Sequence, residues 1–235
     1  MARVACAPSL RYIRLPMITL LVVIIAYLIG AVPFGLIVAR LAGIPDIRTV
    51  GSGNIGATNV WRAAGFKVAV WVFALDTGKG VAVIFGAKYV AAHYTLAVVS
   101  PDVFYVICAM ACVIGNIFPV YLGFRGGKGV NTALGTMVTM LPLQTLISFG
   151  VFLIVAIVFR YISLGSMMGA LTLFAVITIE RFAMQMQIAI VYFYLAAALL
   201  LLILLTHRQN IVRLLAGTEN KFSRSGSSNK EKINV

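Results

Sequence analysis

Acidic side chains are what this chain has least of: six Asp and Glu stand against 19 Lys and Arg in 235 residues, for a formal charge of +13. Charge of either sign is thin at 11%, and only two histidines and three cysteines are present. Two histidines and six scattered acids form no ligand cluster, so neither a metal nor another cofactor is expected. Cys6, Cys108 and Cys112 lack metal-ligand spacing. Cys108 and Cys112, four apart in an apolar run, read as buried structural thiols. No soluble stretch combines basic residues with interleaved aromatics, so the basic excess does not point to nucleic acid. It reads instead as positive-inside bias and attraction to anionic membrane lipids.

What the chain does have is apolar length. Hydrophobic residues make up 62%, mean hydropathy is +1.04, and several runs approach the roughly 20 residues that span a bilayer. The runs do not alternate, so they read as helices and not as barrel strands. The expected fold is all-α and polytopic, with seven transmembrane helices, some short or broken, an outside N-terminus and a cytoplasmic C-terminus. The spans fall near residues 16–40 (kinked at Pro33 and Gly35), 66–91, 103–122, 130–141, 144–160, 164–180 (after a turn at 160–163) and 188–206. One transmembrane domain, 16–222, lies between an N-terminal extension, 1–15, and a disordered basic tail, 223–235. No cleavable signal peptide is expected. Arg3, Arg11 and Arg14 oppose an outside N-terminus, a conflict that a translation start at Met17 would remove.

Three polar segments interrupt the apolar chain. The first is Gly51-Ser52-Gly53-Asn54-Ile55-Gly56-Ala57-Thr58-Asn59-Val60-Trp61-Arg62. The second is Gly126-Gly127-Lys128-Gly129, and the third is His207-Arg208-Gln209-Asn210. Two spans separate the first from the second and four helices the second from the third. Even numbers return the chain to one face, which the basic residues make cytoplasmic.

The residue types on that face suit phosphate. Glycines let backbone approach a ligand, and Gly126, Gly127 and Gly129 offer N–H groups ahead of a helix N-terminus, beside the Lys128 cation. The spacing is not that of a P-loop. Arg62 suits bidentate contact with phosphate, the alternative being a membrane anchor. Gly51, Gly53, Asn54, Thr58 and Asn59 supply close approach and hydrogen bonds. Ser52 is a nucleophile or a donor, and no acid near His207 completes a triad, so donor is preferred. His207 has three readings: general base, phosphate ligand, or interfacial residue. Asn210 lies on the same helix face as His207. Arg213 extends the cationic set, and Glu219 reads as a partner of Arg213 or another basic residue. Asp76 and Lys79 share one face of a membrane helix, first as an ion pair locking the bundle, second as contact for a charged ligand.

These residues, in this order, resemble the bacterial acyl-phosphate:glycerol-3-phosphate 1-acyltransferases, integral membrane enzymes of phospholipid synthesis. The likeness runs from about residue 20 to 221. It includes the segment 51–62, Asp76 with Lys79-Gly80, and Phe118-Pro119 followed by Gly123-Phe124-Arg125-Gly126-Gly127-Lys128-Gly129-Val130. It closes with His207-Arg208, Asn210-Ile211, Arg213-Leu214-Leu215, Gly217 and Glu219. The resemblance implies acyl transfer from acyl phosphate to the 1-hydroxyl of glycerol 3-phosphate, giving lysophosphatidic acid and phosphate. It implies Ser52, Arg62, Lys128, His207 and Asn210 as catalytic residues, with Asp76, Lys79 and Glu219 structural. It also implies an acyl-phosphate-forming enzyme upstream and no cofactor. This chain departs from the family at Asn116, where histidine is usual, at Ile55, where proline is common, and at Asn131, where alanine is usual. Asn116 keeps hydrogen bonding but has no proton role.

Two other readings compete. Broken helices and intramembrane charge also serve a transporter of a small phosphorylated or organic anion, although no inverted repeat is visible. An acyltransferase using acyl-CoA or acyl carrier protein would carry His-x-x-x-x-Asp, but the fifth residue after His93 is Val98 and after His207 is Val212.

Overall fold

The computed structural model describes residues 9–94 and 99–221; Cys6 and the tail read at 223–235 lie outside them. Every regular element among the described residues is helical.

Helix α1 (Ser9–Ala31) stops where Pro33 cannot donate to the ladder and pushes Val32 out of helical geometry, and α2 (Phe34–Leu41) continues beyond the break. The Val32 carbonyl freed there accepts from Lys79 Nζ at 3.1 Å. A short 3-10 turn, Ile47–Thr49, follows, with the Asp46 carboxylate accepting from the Arg48 N–H at 2.9 Å. The stretch 41–65, expected as loop, also contains α3 (Ala57–Ala64). Then come α4 (Phe66–His93) and α5 (Pro101–Ile117), the latter capped by Ser100 with proline at its first position. Helix α6 (Val130–Met140) is separated from α7 (Pro142–Phe159) by Leu141 alone. Helix α8 (Ile162–Thr178) runs into a π-turn at Ile179–Ala183. Helix α9 (Ile190–Thr206) bends by 61° at His207 into α10 (Arg208–Leu215), which carries the helical chain beyond the expected last span, 188–206. Helix α1 begins at Ser9, ahead of the part long and apolar enough to cross a membrane, which starts at Met17.

Among the described residues, five segments are long and apolar enough to cross a membrane: Met17–Leu41, Phe66–His93, Pro101–Leu122, Pro142–Phe159 and Ile162–Ala183. The bent pair α9–α10 makes six. Large apolar side chains cover the outside, as expected for lipid contact: Leu146, Ile154 and Val158 on α7 are exposed.

Close helix pairs are built on glycine. A Cβ on Gly30 of α1 would sit 2.0 Å from the Cys112 carbonyl oxygen of α5, and one on Gly115 of α5 would sit 2.2 Å from that of Tyr27. The pair α4–α6 repeats the device: Gly80 lies against the Thr132 carbonyl and Gly135 against that of Thr77. In lipid no hydrophobic gain drives helices together, so close backbone approach supplies the attraction. Cys108 and Cys112 are fully buried free thiols in the main core, with Phe104, Ile84, Met137 and Leu195. A second cluster, Leu36, Ile47, Ile55, Val60 and Val72, clamps the 41–65 stretch onto α2 and α4. Asp76 and Lys79 form a buried ion pair at 2.8 Å.

Candidate active site

The three polar segments meet at one cavity of about 380 Å3. The 51–62 segment roofs it, one face of α4 (Ala69, Phe73, Asp76) forms a wall, and Lys128, His207, Asn210 and Glu219 close the opposite side. Ser52, Asn54, Thr58, Asn59, Arg62, Gly127 and Gly129 also line it. Gly51, Gly53, Gly126, Arg213 and Lys79 stand behind the lining.

The 51–62 segment is held from within. Asn59, almost wholly buried, donates through Nδ2 to the carbonyls of Ile47 (3.1 Å) and Val50 (2.9 Å). Its Oδ1 accepts from the Ser52 N–H at 2.9 Å. Gly51, at φ +60°, passes so close that a Cβ would lie 2.4 Å from that same Oδ1. Asn54 Oδ1 accepts from the Gly56 N–H at 2.8 Å. Asn59 and Asn54 thus shape the backbone, leaving Ser52, Thr58 and Arg62 as the groups of this segment turned to the cavity. Arg62 reaches the far end of the chain, donating to the Asn220 carbonyl at 3.2 Å. Burial, with Arg213 adding to it and Glu219 opposing, holds its pKa below the usual arginine value.

The glycine turn corrects one expectation. Its N–H groups do not face the cavity: Gly126 donates to Ile117 O (3.1 Å), Gly127 to Asn116 O (3.0 Å) and Gly129 to Asn116 Oδ1 (3.2 Å). The glycines are needed for close approach, since a Cβ on Gly126 would lie 2.2 Å from the Asn116 carbonyl oxygen. Asn116, read from sequence only as a family departure, is therefore the residue that pins the turn. The charged group that the turn presents to the cavity is the Lys128 side chain, just ahead of α6.

Lys128 Nζ donates to Asn210 Oδ1. Asn210 Nδ2 donates in turn to Glu219 Oε1 at 2.7 Å, and Glu219 also accepts from Ser163 Oγ (2.9 Å) and Arg213 Nε (2.8 Å). Burial works to raise the Glu219 pKa, but the hydrogen bonds from Arg213, Asn210 and Ser163 outweigh it, and the carboxyl stays below its usual value. Lys128 is pushed down to about 8, chiefly by burial, with Arg213 and Arg62 adding to it and Glu219 opposing. His207 falls to about 4, again by burial first and then by the Lys128 charge. Its Nδ1 lies 2.8 Å from the Ile203 carbonyl, which accepts a hydrogen bond and so fixes the proton on Nδ1. The Nε2 lone pair is then an acceptor. Ser163 carried no sequence signal, because only its contact with Glu219, 56 residues away, gives it a place here.

A smaller apolar cavity of about 80 Å3 opens off the first. Phe73, Val130, Asn131, Phe149, Phe152 and Ser166 line both, and Met137, Leu173 and Leu199 line the apolar part only. Cationic and amide groups thus stand at the mouth of an apolar slot between α6, α7, α8 and α9. Among the described residues no cluster of three or more His, Cys, Asp or Glu is placed to hold a metal.

Fold and cavity together define a polytopic helical membrane protein with a cationic, amide-lined site at one end of the bundle. The glycerol-3-phosphate acyltransferase family model matches residues 20–217. Among relatives named glycerol-3-phosphate acyltransferase, that of Trichlorobacter lovleyi is 42% identical over 197 residues, covering 84% of this chain and 94% of its own length. That of Geotalea daltonii is 37% identical over 206 residues, covering 87% and 98%. The crystal structure of PlsY (YgiH), an integral membrane glycerol 3-phosphate acyltransferase, in its glycerol 3-phosphate form is 38% identical, with a TM-score of 0.76 over 87% of this chain and 96% of that one. Its lysophosphatidic acid form gives 37% and 0.74 over 87% and 95%. The chain belongs to the glycerol-3-phosphate acyltransferase family. It is an acyltransferase, and the anion-transporter alternative is not favoured.

Proposed function

We propose that this chain transfers a fatty acyl group from acyl phosphate to the 1-hydroxyl of glycerol 3-phosphate, as the first acylation of phospholipid synthesis. It works without a cofactor, at the cytoplasmic face of a bacterial inner membrane, on donor delivered by an acyl-phosphate-forming enzyme. The observation that carries the reading is the junction of the two cavities. Phosphate-binding groups and an apolar slot share one mouth, as a substrate with a charged head and a lipid tail requires.

Each side chain then has a role. Lys128 holds the phosphate of glycerol 3-phosphate, while Arg62, Ser52 and Thr58 take the acyl phosphate head. Asn210, braced by Glu219, fixes Lys128, and Arg213 holds Glu219 in place. Asn59, Asn54, Gly51 and Gly53 shape the roof, and Gly126, Gly127 and Gly129 let the turn pack against Asn116. The 1-hydroxyl oxygen attacks the acyl carbonyl carbon, the bond from that carbon to the phosphate oxygen breaks, and the hydroxyl proton must be accepted. His207, at about 4, is a weaker base than a phosphate dianion, whose conjugate acid has a pKa of about 6. The phosphate group therefore takes the proton, and His207 Nε2 orients the hydroxyl. Because phosphate is already a good leaving group, positioning and charge stabilisation suffice, and Ser52 forms no covalent intermediate.

The topology read is seven crossings with the N-terminus outside. Helix α6 counts as one although its 11 residues reach only ~17 Å at 1.5 Å per residue. Supporting this, its first turn lies at the cavity, while near its last turn the Thr139 carbonyl accepts from Lys88 Nζ (2.7 Å) in the far half of α4. At that same end Gln144 of α7 donates to Glu180, beyond α8, at 2.8 Å.

The test offers purified protein glycerol 3-phosphate with palmitoyl phosphate, palmitoyl-CoA or palmitoyl carrier protein. Lysophosphatidic acid from the first donor alone is expected. Product from a thioester donor instead would replace the donor assignment, and no product from any would end the acyl-transfer reading.

A further inference from the structure

Asp76 is a buried carboxylate that the mechanism above does not use. It lies on α4 on the same face as Ala69 and Phe73, and with them it lines the cavity that holds Lys128, His207 and Ser52. Its side chain is 10% exposed, that of Lys79 2%. Lys79 Nζ stands 2.8 Å from Asp76 Oδ1 and also donates to the Val32 carbonyl at 3.1 Å. Oδ1 is buried against that ammonium, and no other described residue donates to it. The Asp76 charge is thus matched by Lys79, while the rest of its carboxylate borders the cavity with no donor from any other described residue, at a place where an unmet hydrogen bond is costly. A cavity built for two phosphates also gains nothing by presenting a negative charge to them. A hydroxyl group resolves both difficulties, because it donates to a carboxylate and carries no charge.

We propose that Asp76 is a substrate-orienting residue that accepts a hydrogen bond from the 2-hydroxyl of the glyceryl acceptor. The inference rests on the acceptor being glycerol 3-phosphate. With its charge already matched by Lys79, Asp76 needs a donor and not a proton, and the hydroxyl that keeps its proton in this reaction is the spectator at carbon 2. Carboxylate and cations then stand at separate places on the cavity wall. The acceptor phosphate is drawn to Lys128 and repelled from Asp76, so the molecule enters in one orientation. Asn116 lines the same cavity, its Oδ1 taken by the Gly129 N–H. Its Nδ2 makes no hydrogen bond to the described residues, which leaves it as a donor to the same hydroxyl.

The experiment compares glycerol 3-phosphate with 3-hydroxypropyl phosphate, which keeps the 1-hydroxyl and the phosphate but lacks the 2-hydroxyl. The wild-type protein is expected to prefer glycerol 3-phosphate by roughly 10- to 100-fold in kcat/KM, the range for a hydrogen bond to a charged group. D76N, which keeps an acceptor but loses the charge, should lose about tenfold of that preference. The double variant D76L/K79M, which removes both charges together, should accept the two substrates about equally. A merely structural role would lower both activities in parallel and leave their ratio unchanged, and that ratio in either variant would overturn the inference. So would a wild-type protein that does not distinguish the two acceptors, a result needing no variant to fold. If the wild type acylates neither, the acyl-transfer reading fails instead.

Discussion

Lys128 and Asn210, 82 residues apart in the chain, meet side chain to side chain: the ammonium donates to the amide oxygen, and the amide is held from behind by Glu219. This contact joins the glycine turn to the last helix and fixes the cation at the cavity wall. Removing the ammonium removes a charge-assisted phosphate contact, worth about 1.5–3 kcal/mol. Lys128→Ala is therefore expected to raise KM for glycerol 3-phosphate by roughly 10- to 100-fold. Initial rates with acceptor varied at saturating donor measure it, and an unchanged KM would remove Lys128 from acceptor binding.

The depressed Lys128 pKa gives a pH dependence with a definite sign. Lysine is cationic below its pKa, so with the value at about 8 the phosphate-binding form prevails at pH 7 and is lost as pH rises through 8. The KM for acceptor should rise over that window in the wild type. Lys128→Arg keeps its charge throughout and should flatten the rise, even if its absolute activity is lower. A wild-type KM constant from pH 7 to 9.5 would contradict the assignment.

His207 is expected to stay neutral, with its proton on Nδ1, from pH 8 down to about 4. Imidazole NMR on labelled protein reads this directly, with His207→Ala separating its signal from that of His93, the other histidine. Titration near 6.5 would return His207 to the role of general base.

The glycine contacts predict a pattern of stabilities. Gly135→Ala would place a Cβ 2.0 Å from the Thr77 carbonyl oxygen, and overpacking of this kind costs about 1–3 kcal/mol. Gly150, on α7, has open space around it, so Gly150→Ala should be neutral or gain up to ~1 kcal/mol from helix propensity. Thermal unfolding in detergent should rank Gly135→Ala well below wild type and Gly150→Ala at or above it.

Asn59 holds two carbonyls and one N–H of the roof. Asn59→Ala leaves these buried groups unmet, at about 1–3 kcal/mol each before relaxation. A large fall in melting temperature with loss of activity is expected. Activity lost at unchanged stability would instead point to direct ligand contact by Asn59.

Much of this arrangement was legible in the residues. The i,i+3 spacing of Asp76 and Lys79 foretold their ion pair, and the scarcity of acids foretold that Glu219 would be held by Arg213. Span parity placed the three polar segments together, which the shared cavity reproduces. What escaped were the groups that complete backbone hydrogen bonding at a distance. Asn116 serves a turn 10 to 13 residues on and Asn59 a carbonyl 12 residues back, and no spacing rule marks an amide for such work. For the same reason the glycine N–H groups were expected to face a ligand: sequence shows that they are unobstructed, not that the chain uses them itself. The 61° bend at His207 was hidden because neither proline nor glycine, the usual marks of a kink, stands there.

The central claim is direct acyl transfer between two phosphate-bearing substrates, with Ser52 as a donor and not a nucleophile. Its most direct test incubates purified protein with palmitoyl phosphate and labelled inorganic phosphate, first without and then with glycerol 3-phosphate. The account predicts no label in palmitoyl phosphate while the acceptor is absent, and one phosphate released per lysophosphatidic acid once it is added. Label exchanged into the donor without acceptor, and abolished by Ser52→Ala, would reveal an acyl-enzyme and contradict it.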